Sequence, residues 1–114
     1  MTHSAQAEEK TSRFTQFRLT RQLGILASNL ARIKTYAADE ATAAGCREIA
    51  EETMLFVETC AKTAPKTVLC QMVALSGYLR TVLTQLDKVG AVSPEVAQEA
   101  DAWRRSLMLL SEIV

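Results

Sequence analysis

The chain has 114 residues, of which 48% are hydrophobic, and its 13 basic and 13 acidic side chains leave no net charge. This length predicts one domain, and this apolar content excludes a disordered chain. Zero net charge gives no general attraction to nucleic acid or to an anionic membrane. We therefore expect no membrane partner and do not favour nucleic acid as the main ligand.

The amino terminus differs from the rest of the chain. Residues 1–10 show no hydrophobic periodicity, which predicts a mobile tail, with a single helical-bundle domain over residues 11–114. The tail lacks the apolar core of a secretory signal, and the three cysteines lie within helical patterns. Free cysteines are typical of a reducing compartment, so we expect a cytoplasmic location.

A first helix is predicted from Thr11 or Ser12, either of which can cap it, to about Tyr36. Its apolar residues alternate at spacings of four and three, which places them on one buried face. We expect the break after it at Asp39, which can cap a second helix; alternatively the first helix continues to residue 44 and ends at Gly45. The buried face comprises Leu19, Leu23, Leu26, Leu30, Ile33 and Ala37.

A second face of this helix combines aromatic residues with arginines. Its members project within ~100° of one another, roughly opposite the leucines, at 3.6 residues per turn. Three interpretations are open: sideways packing against neighbouring helices, a protein interface (most simply that of a homodimer), or a nucleic-acid surface. The candidate interface residues are Phe14, Phe17, Arg18, Arg21, Ile25, Arg32 and Tyr36.

The second helix is predicted to end near Lys62, and it is acidic on its outer side. That outer side carries Glu48, Glu51, Glu52 and Glu58. Helical spacing places another set on the inner side. The inward residues are Cys46, Ile49, Ala50, Thr53, Phe56, Val57 and Cys60.

The third helix is predicted to begin at Pro65 and to stop at Gly90, a residue suited to the left-handed conformation after a helix end. Its apolar stripe is the most regular in the chain. A helix with such a stripe needs other elements to cover it, so the remaining helices are expected to pack around it. The stripe comprises Val68, Met72, Leu75, Leu79, Val82, Leu86 and Val89.

A fourth helix is predicted with Ser93 as its capping residue and Pro94 in the first helical position. Glu95 then lies at the positive end of the helix dipole. Four helices of similar length joined by short connections predict an all-α, antiparallel up-down four-helix bundle. The alternative is a three-helix form with one long, bent first helix. The buried face of the fourth helix comprises Val96, Ala100, Trp103, Leu107, Leu110 and Val114.

Residues for common catalytic chemistry are scarce in this sequence. The single histidine, His3, lies in the predicted tail, which argues against Cys–His and Ser–His catalysis and against di-metal bundle sites. There is no glycine-rich phosphate loop and no Cys-x-x-Cys motif. We therefore predict a non-enzymatic interaction or regulatory protein that needs no metal or cofactor and self-associates through the aromatic and arginine face. The alternatives are a nucleic-acid-binding bundle using the same face, and a small-molecule-binding bundle.

Overall fold

The computed structural model describes the backbone of residues 2–114 and the side chains of residues 8–114. In this part of the chain it is all-helical, as predicted, and has no strand. It contains five α-helices, one more than predicted, and a short 3₁₀ turn, Glu40–Thr42, between the second and third. The α-helices are α1 (Thr2–Thr15), α2 (Leu19–Ala37), α3 (Ala43–Thr63), α4 (Lys66–Val89) and α5 (Pro94–Ile113).

The predicted first helix is interrupted, so its expected course from Thr11 or Ser12 to Tyr36 is wrong. Backbone N–H groups of Gln16 and Phe17 donate to carbonyls three residues earlier, at 3.1 and 3.2 Å, which tightens the end of α1. Arg18 is then extended, with φ −62° and ψ 154°, and precedes α2. The extended residue therefore separates α1 from α2.

The backbone of residues 2–10 is helical, in the segment where we predict a mobile tail. A helical backbone does not measure motion, so mobility stays a prediction. Met1 lies outside the described residues, as does the side chain of His3.

The connection between α2 and α3 is formed by the 3₁₀ turn. The Asp39 carboxylate caps it by accepting from the Ala41 N–H at 3.0 Å, and the Thr42 hydroxyl donates to the Tyr36 carbonyl at 2.6 Å. The predicted break at Asp39 is therefore confirmed, and the alternative of one helix reaching residue 44 is wrong. Helix α3 begins later than predicted, at Ala43, because the turn intervenes.

The carboxyl-terminal end of α4 and the start of α5 follow the predicted signals, whereas α4 begins at Lys66, one residue later than predicted, with Pro65 as its capping residue. Gly90, with φ 74°, terminates α4, and its N–H donates to the Leu86 carbonyl at 3.0 Å. At the start of α5, the Ser93 hydroxyl accepts from the Val96 N–H at 3.3 Å, and Pro94 is the first helical residue.

The core lies where α2, α3, α4 and α5 meet. Helix α2 contacts α5 and α3, α3 contacts α4, and α4 contacts α5; α1 packs on α3. Every residue of the α4 stripe is buried except Val89, which is 75% exposed, and Val114 on the α5 stripe is also exposed. Both are last residues, of α4 and of the chain, and a terminal residue has neighbours on only one side along its helix.

Candidate protein interface

Helix α2 and the residue pair before it form a basic, partly apolar surface. Arg18, Arg21 and Arg32 are exposed, and Ile25 is partly buried. The Arg21 guanidinium lies 4.1 Å from the centre of the partly buried Phe17 ring, a cation–π contact. We call Phe17, Arg18, Arg21, Ile25 and Arg32 the arginine face. Of the seven candidate residues, Phe17 and Arg21 are in contact, and helical spacing places Arg21, Ile25 and Arg32 on one side of α2.

Phe14 does not belong to this face, although a continuous helix would place it there. It is 1% exposed, and its ring stacks on Phe56 of α3, with 4.5 Å between ring centres and 6° between ring planes. The interruption before α2 rotates Phe14 into the core. Sideways packing, one of the three interpretations of the aromatic residues, therefore describes Phe14.

Tyr36 lies at the far end of α2 and takes part in the turn to α3. Its ring is partly buried and lies against Gly45, where an added Cβ would be 3.6 Å from the ring. That distance is an ordinary van der Waals contact, so the Tyr36 ring packs against the first turn of α3. Tyr36 therefore belongs to the junction between α2 and α3 and makes no described contact with the arginine face.

The arginines of this face are not neutralised. In the described part of the chain, no ion pair involves Arg18, Arg21 or Arg32, whereas Lys34 on the flank of α2 is 3.9 Å from the Asp101 carboxylate. Helix α2 contains no acidic residue. The face therefore keeps its positive charge for solvent or for a partner.

Glu52 was predicted on the outer acidic face, but it joins three helices. Its carboxylate accepts from Lys10 Nζ of α1 at 2.8 Å and from Asn29 Nδ2 of α2 at 3.1 Å. Asn29 is 4% exposed. A buried amide needs a hydrogen-bond partner, so Asn29 beside the leucines of α2 was the sequence signal for this contact.

The outer side of α3 has the opposite charge. Glu48, Glu51 and Glu58 are exposed around Leu55, which is itself 39% exposed. None of the three glutamates forms an ion pair with another described side chain. We call these four residues the glutamate face.

The three cysteines are free and differ in environment. Cys46 and Cys60 are buried and Cys70 is exposed. Burial raises the pKa of the Cys46 and Cys60 thiols, which disfavours the reactive thiolate. Neither buried thiol is therefore suited to act as a nucleophile.

Two open grooves lie near the turn between α4 and α5, with volumes of about 670 and 480 Å³. Every buried polar side-chain atom in the described residues has a hydrogen-bond partner, so none is left for a ligand in a preformed socket. No three described His, Cys, Asp or Glu side chains are grouped so that they could hold a metal ion.

The described helices include none with the length and apolarity needed to cross a bilayer. The fold defines an all-α protein with a basic surface on α2 and an acidic surface on α3. Comparison of the chain with protein-family models, with curated proteins and with solved structures finds no match.

Proposed function

We propose that this chain is a non-enzymatic interaction protein that binds a protein partner through the arginine face. The observation that carries the proposal is the set of three exposed arginines without ion pairs beside partly buried Phe17 and Ile25. In this proposal α2 to α5 form an antiparallel four-helix bundle, supported by contacts between successive helices and between α2 and α5.

Arginine and aromatic residues are enriched among the residues that dominate binding at protein interfaces. The guanidinium of Arg21 is already held over Phe17, so less side-chain freedom is lost when it binds. Ile25 supplies an aliphatic centre between the arginines. A matching partner surface would carry carboxylates around an apolar residue.

A second copy of the chain offers such a surface. Pairing the arginine face with itself would bring like charges together, which is unfavourable at an interface. The glutamate face instead presents three carboxylates around Leu55. We therefore propose a homodimer in which the arginine face of one copy contacts the glutamate face of the other.

The size of the surface sets the expected affinity. Helix α2 has 19 residues and spans about 28 Å at ~1.5 Å per residue. A contact area as long as α2 and as wide as one or two helices would bury on the order of 300–600 Å² of surface per copy. This is below the ~800 Å² per partner of a standard interface. We expect a dimer with micromolar affinity.

The proposal is tested by molar mass from light scattering across a micromolar concentration series. Wild type should show a dimer, and Ile25→Glu should be monomeric, because the new carboxylate would face the glutamate face. Leu83→Glu is the matched control, since Leu83 on α4 is, like Ile25, a partly buried aliphatic residue packed against the core. A wild-type chain that stays monomeric and co-purifies with no other protein would contradict the proposal.

Charge reversal tests the pairing of the two faces. One variant carries Arg21→Glu and Arg32→Glu, and the other carries Glu51→Arg and Glu58→Arg. Each alone should be monomeric because both of its faces have the same sign, and an equimolar mixture should dimerise because opposite signs then meet in both contacts. The control is a variant in which the charges of Arg80 and Glu99 are reversed, because both residues are exposed and lie outside the two faces. A mixture that remains monomeric rules out this pairing.

Nucleic acid is the second candidate ligand, because the same unpaired arginines could contact phosphates. A filter-binding titration at two salt concentrations separates a nucleic-acid ligand from a protein partner, since phosphate contacts weaken steeply as salt rises.

We also propose a cytoplasmic location, supported by three free cysteines.

A further inference from the structure

The amino-terminal end of α2 lacks the features that normally begin a helix. Its capping residue is Arg18, whose side chain makes no capping hydrogen bond, and the first turn contains no acidic residue. Arg18 and Arg21 instead place positive charge at the positive end of the helix dipole, which is unfavourable. Local interactions therefore oppose starting a helix at this point.

The segment that separates α1 from α2 contains no helix breaker. Gln16, Phe17 and Arg18 include neither Gly nor Pro. An interruption leaves the last carbonyls of one helix and the first N–H groups of the next without helical partners. In a continuous helix the Phe14 carbonyl would accept from the Arg18 N–H, so backbone hydrogen bonding also favours a straight helix.

Contacts with other parts of the chain maintain the interruption. Phe14 is buried against Phe56, Lys10 pairs with Glu52, and Gln22 Nε2 donates to the Phe14 carbonyl at 2.9 Å. The first two contacts join α1 to α3 and do not require that both helices belong to one chain. The same surface of α3 on another copy could receive α1 equally well.

We propose that two copies of the chain exchange α1. In the exchanged dimer, α1 and α2 form one straight helix, and α1 packs on α3 of the second copy. α1 has 14 residues and would extend about 21 Å beyond its own bundle. Phe14 then stacks on the other copy's Phe56, so the buried contact is kept while the unfavourable start of α2 disappears.

This proposal does not depend on a contact between the arginine face and the glutamate face, and the Lys10–Glu52 pair gives it a direct readout. Unlabelled and ¹⁵N-labelled chains are mixed, unfolded in guanidinium and refolded at high concentration. A zero-length carbodiimide then joins the Lys10 amine to the Glu52 carboxylate, and mass spectrometry identifies the linked peptides. Links between two chains include pairs of mixed isotope, whereas links within one chain never do.

We expect a mixed-isotope fraction that rises with protein concentration and reaches about half of the links at complete exchange. Links of single isotope at every concentration would overturn the proposal, whether or not a dimer forms. A dimer without mixed links would leave the arginine-face proposal standing, and mixed links in the Ile25→Glu variant would show exchange without that face.

Variants of the connection test the proposed cause. Arg18→Asp provides a capping carboxylate at the start of α2, so the interrupted form is favoured and the yield of mixed links should fall roughly tenfold or more. Arg32→Asp makes the same charge change in the middle of α2 and should leave that yield unchanged. Equal losses in both variants, or no loss in Arg18→Asp, would contradict exchange driven by this helix start.

Discussion

Phe14 and Phe17 lie three residues apart, yet they have different environments. Phe14 is 1% exposed and stacks on Phe56, whereas Phe17 is only partly buried and lies beneath a guanidinium. We expect Phe14→Ala to lower the free energy of unfolding by about 3–5 kcal/mol, because it opens a cavity in the core.

Phe17→Ala is the matched control for this change. It should lower the free energy of unfolding by no more than about 1 kcal/mol, since a partly exposed ring leaves no enclosed cavity. Guanidinium unfolding followed by circular dichroism measures both variants. Equal losses would contradict the burial of Phe14 by the interruption.

Two glycines give opposite predictions at the same scale. An alanine Cβ at Gly77, inside α4, would have no neighbouring atom within 4 Å. Gly77→Ala should therefore raise the free energy of unfolding by about 0.5–1 kcal/mol through helix propensity.

Gly90 has φ 74°, so Gly90→Ala should lower the free energy of unfolding by about 1 kcal/mol or more. Thermal unfolding compares the two, and a loss in Gly77→Ala would mean that another surface covers that position.

At the scale of the element, the spacing of apolar residues along each helix was sufficient to predict which residues form its buried stripe. Leu23, Leu26 and Leu30 are fully buried on α2 as predicted, because helical periodicity depends only on neighbouring residues. The interruption before α2 could not be predicted, since its cause lies in Phe56 on another helix and in the Gln22 side chain. The candidate site was likewise predictable only in part. Arg21 and Arg32 are exposed on one face of α2, as helical spacing predicts. Phe14 is absent from that face because it stacks on Phe56, a contact between helices that local spacing does not reveal.

The hydrogen bond from Gln22 to the end of α1 gives a prediction for that element. Gln22 is 6% exposed, and its amide donates to the Phe14 carbonyl. Gln22→Leu removes this donor, and the Phe14 carbonyl keeps the Phe17 N–H at 3.2 Å as a partner, so the substitution should lower the free energy of unfolding by about 0.5–1.5 kcal/mol.

Hydrogen exchange locates the effect of this substitution. Exchange in α1 should accelerate more than in α4, because α1 loses one of the few contacts that attach it to the other helices. Gln71→Leu, an exposed position on α4, is the control and should change neither quantity by much. Uniform acceleration over all helices would contradict a local role for Gln22.

At the scale of the whole molecule, the net charge is zero, but basic and acidic residues lie on different surfaces. The charged residues of α2 are all basic, whereas the outer side of α3 carries Glu48, Glu51 and Glu58. Composition averages over these surfaces, so it could not reveal that each has a possible counterpart on a second copy. The same separation leaves few ion pairs between helices, and Asp101 takes part in one of them.

Asp101 links stability to pH across α2 and α5. Its carboxylate accepts from Arg104 Nε at 3.1 Å and lies 3.9 Å from Lys34 of α2. The hydrogen bond from Arg104, followed by the charges of Lys34, Arg104 and Arg105, lowers the pKa of Asp101 below its ordinary value of 3.8. The folded state therefore holds this group ionised at a pH where the unfolded chain is already protonated.

A carboxylate with a lowered folded-state pKa stabilises the fold above its unfolded pKa, and this contribution is lost as the pH falls through the lower folded-state value. Asp101→Asn should consequently be less stable than wild type near neutral pH, and the difference should shrink as the pH falls below 3.8. Urea unfolding at several pH values measures this difference, with Glu112→Gln, an exposed position on α5 without an ion pair among the described side chains, as the control. A difference that is independent of pH would show that Asp101 acts through helix structure and not through its charge.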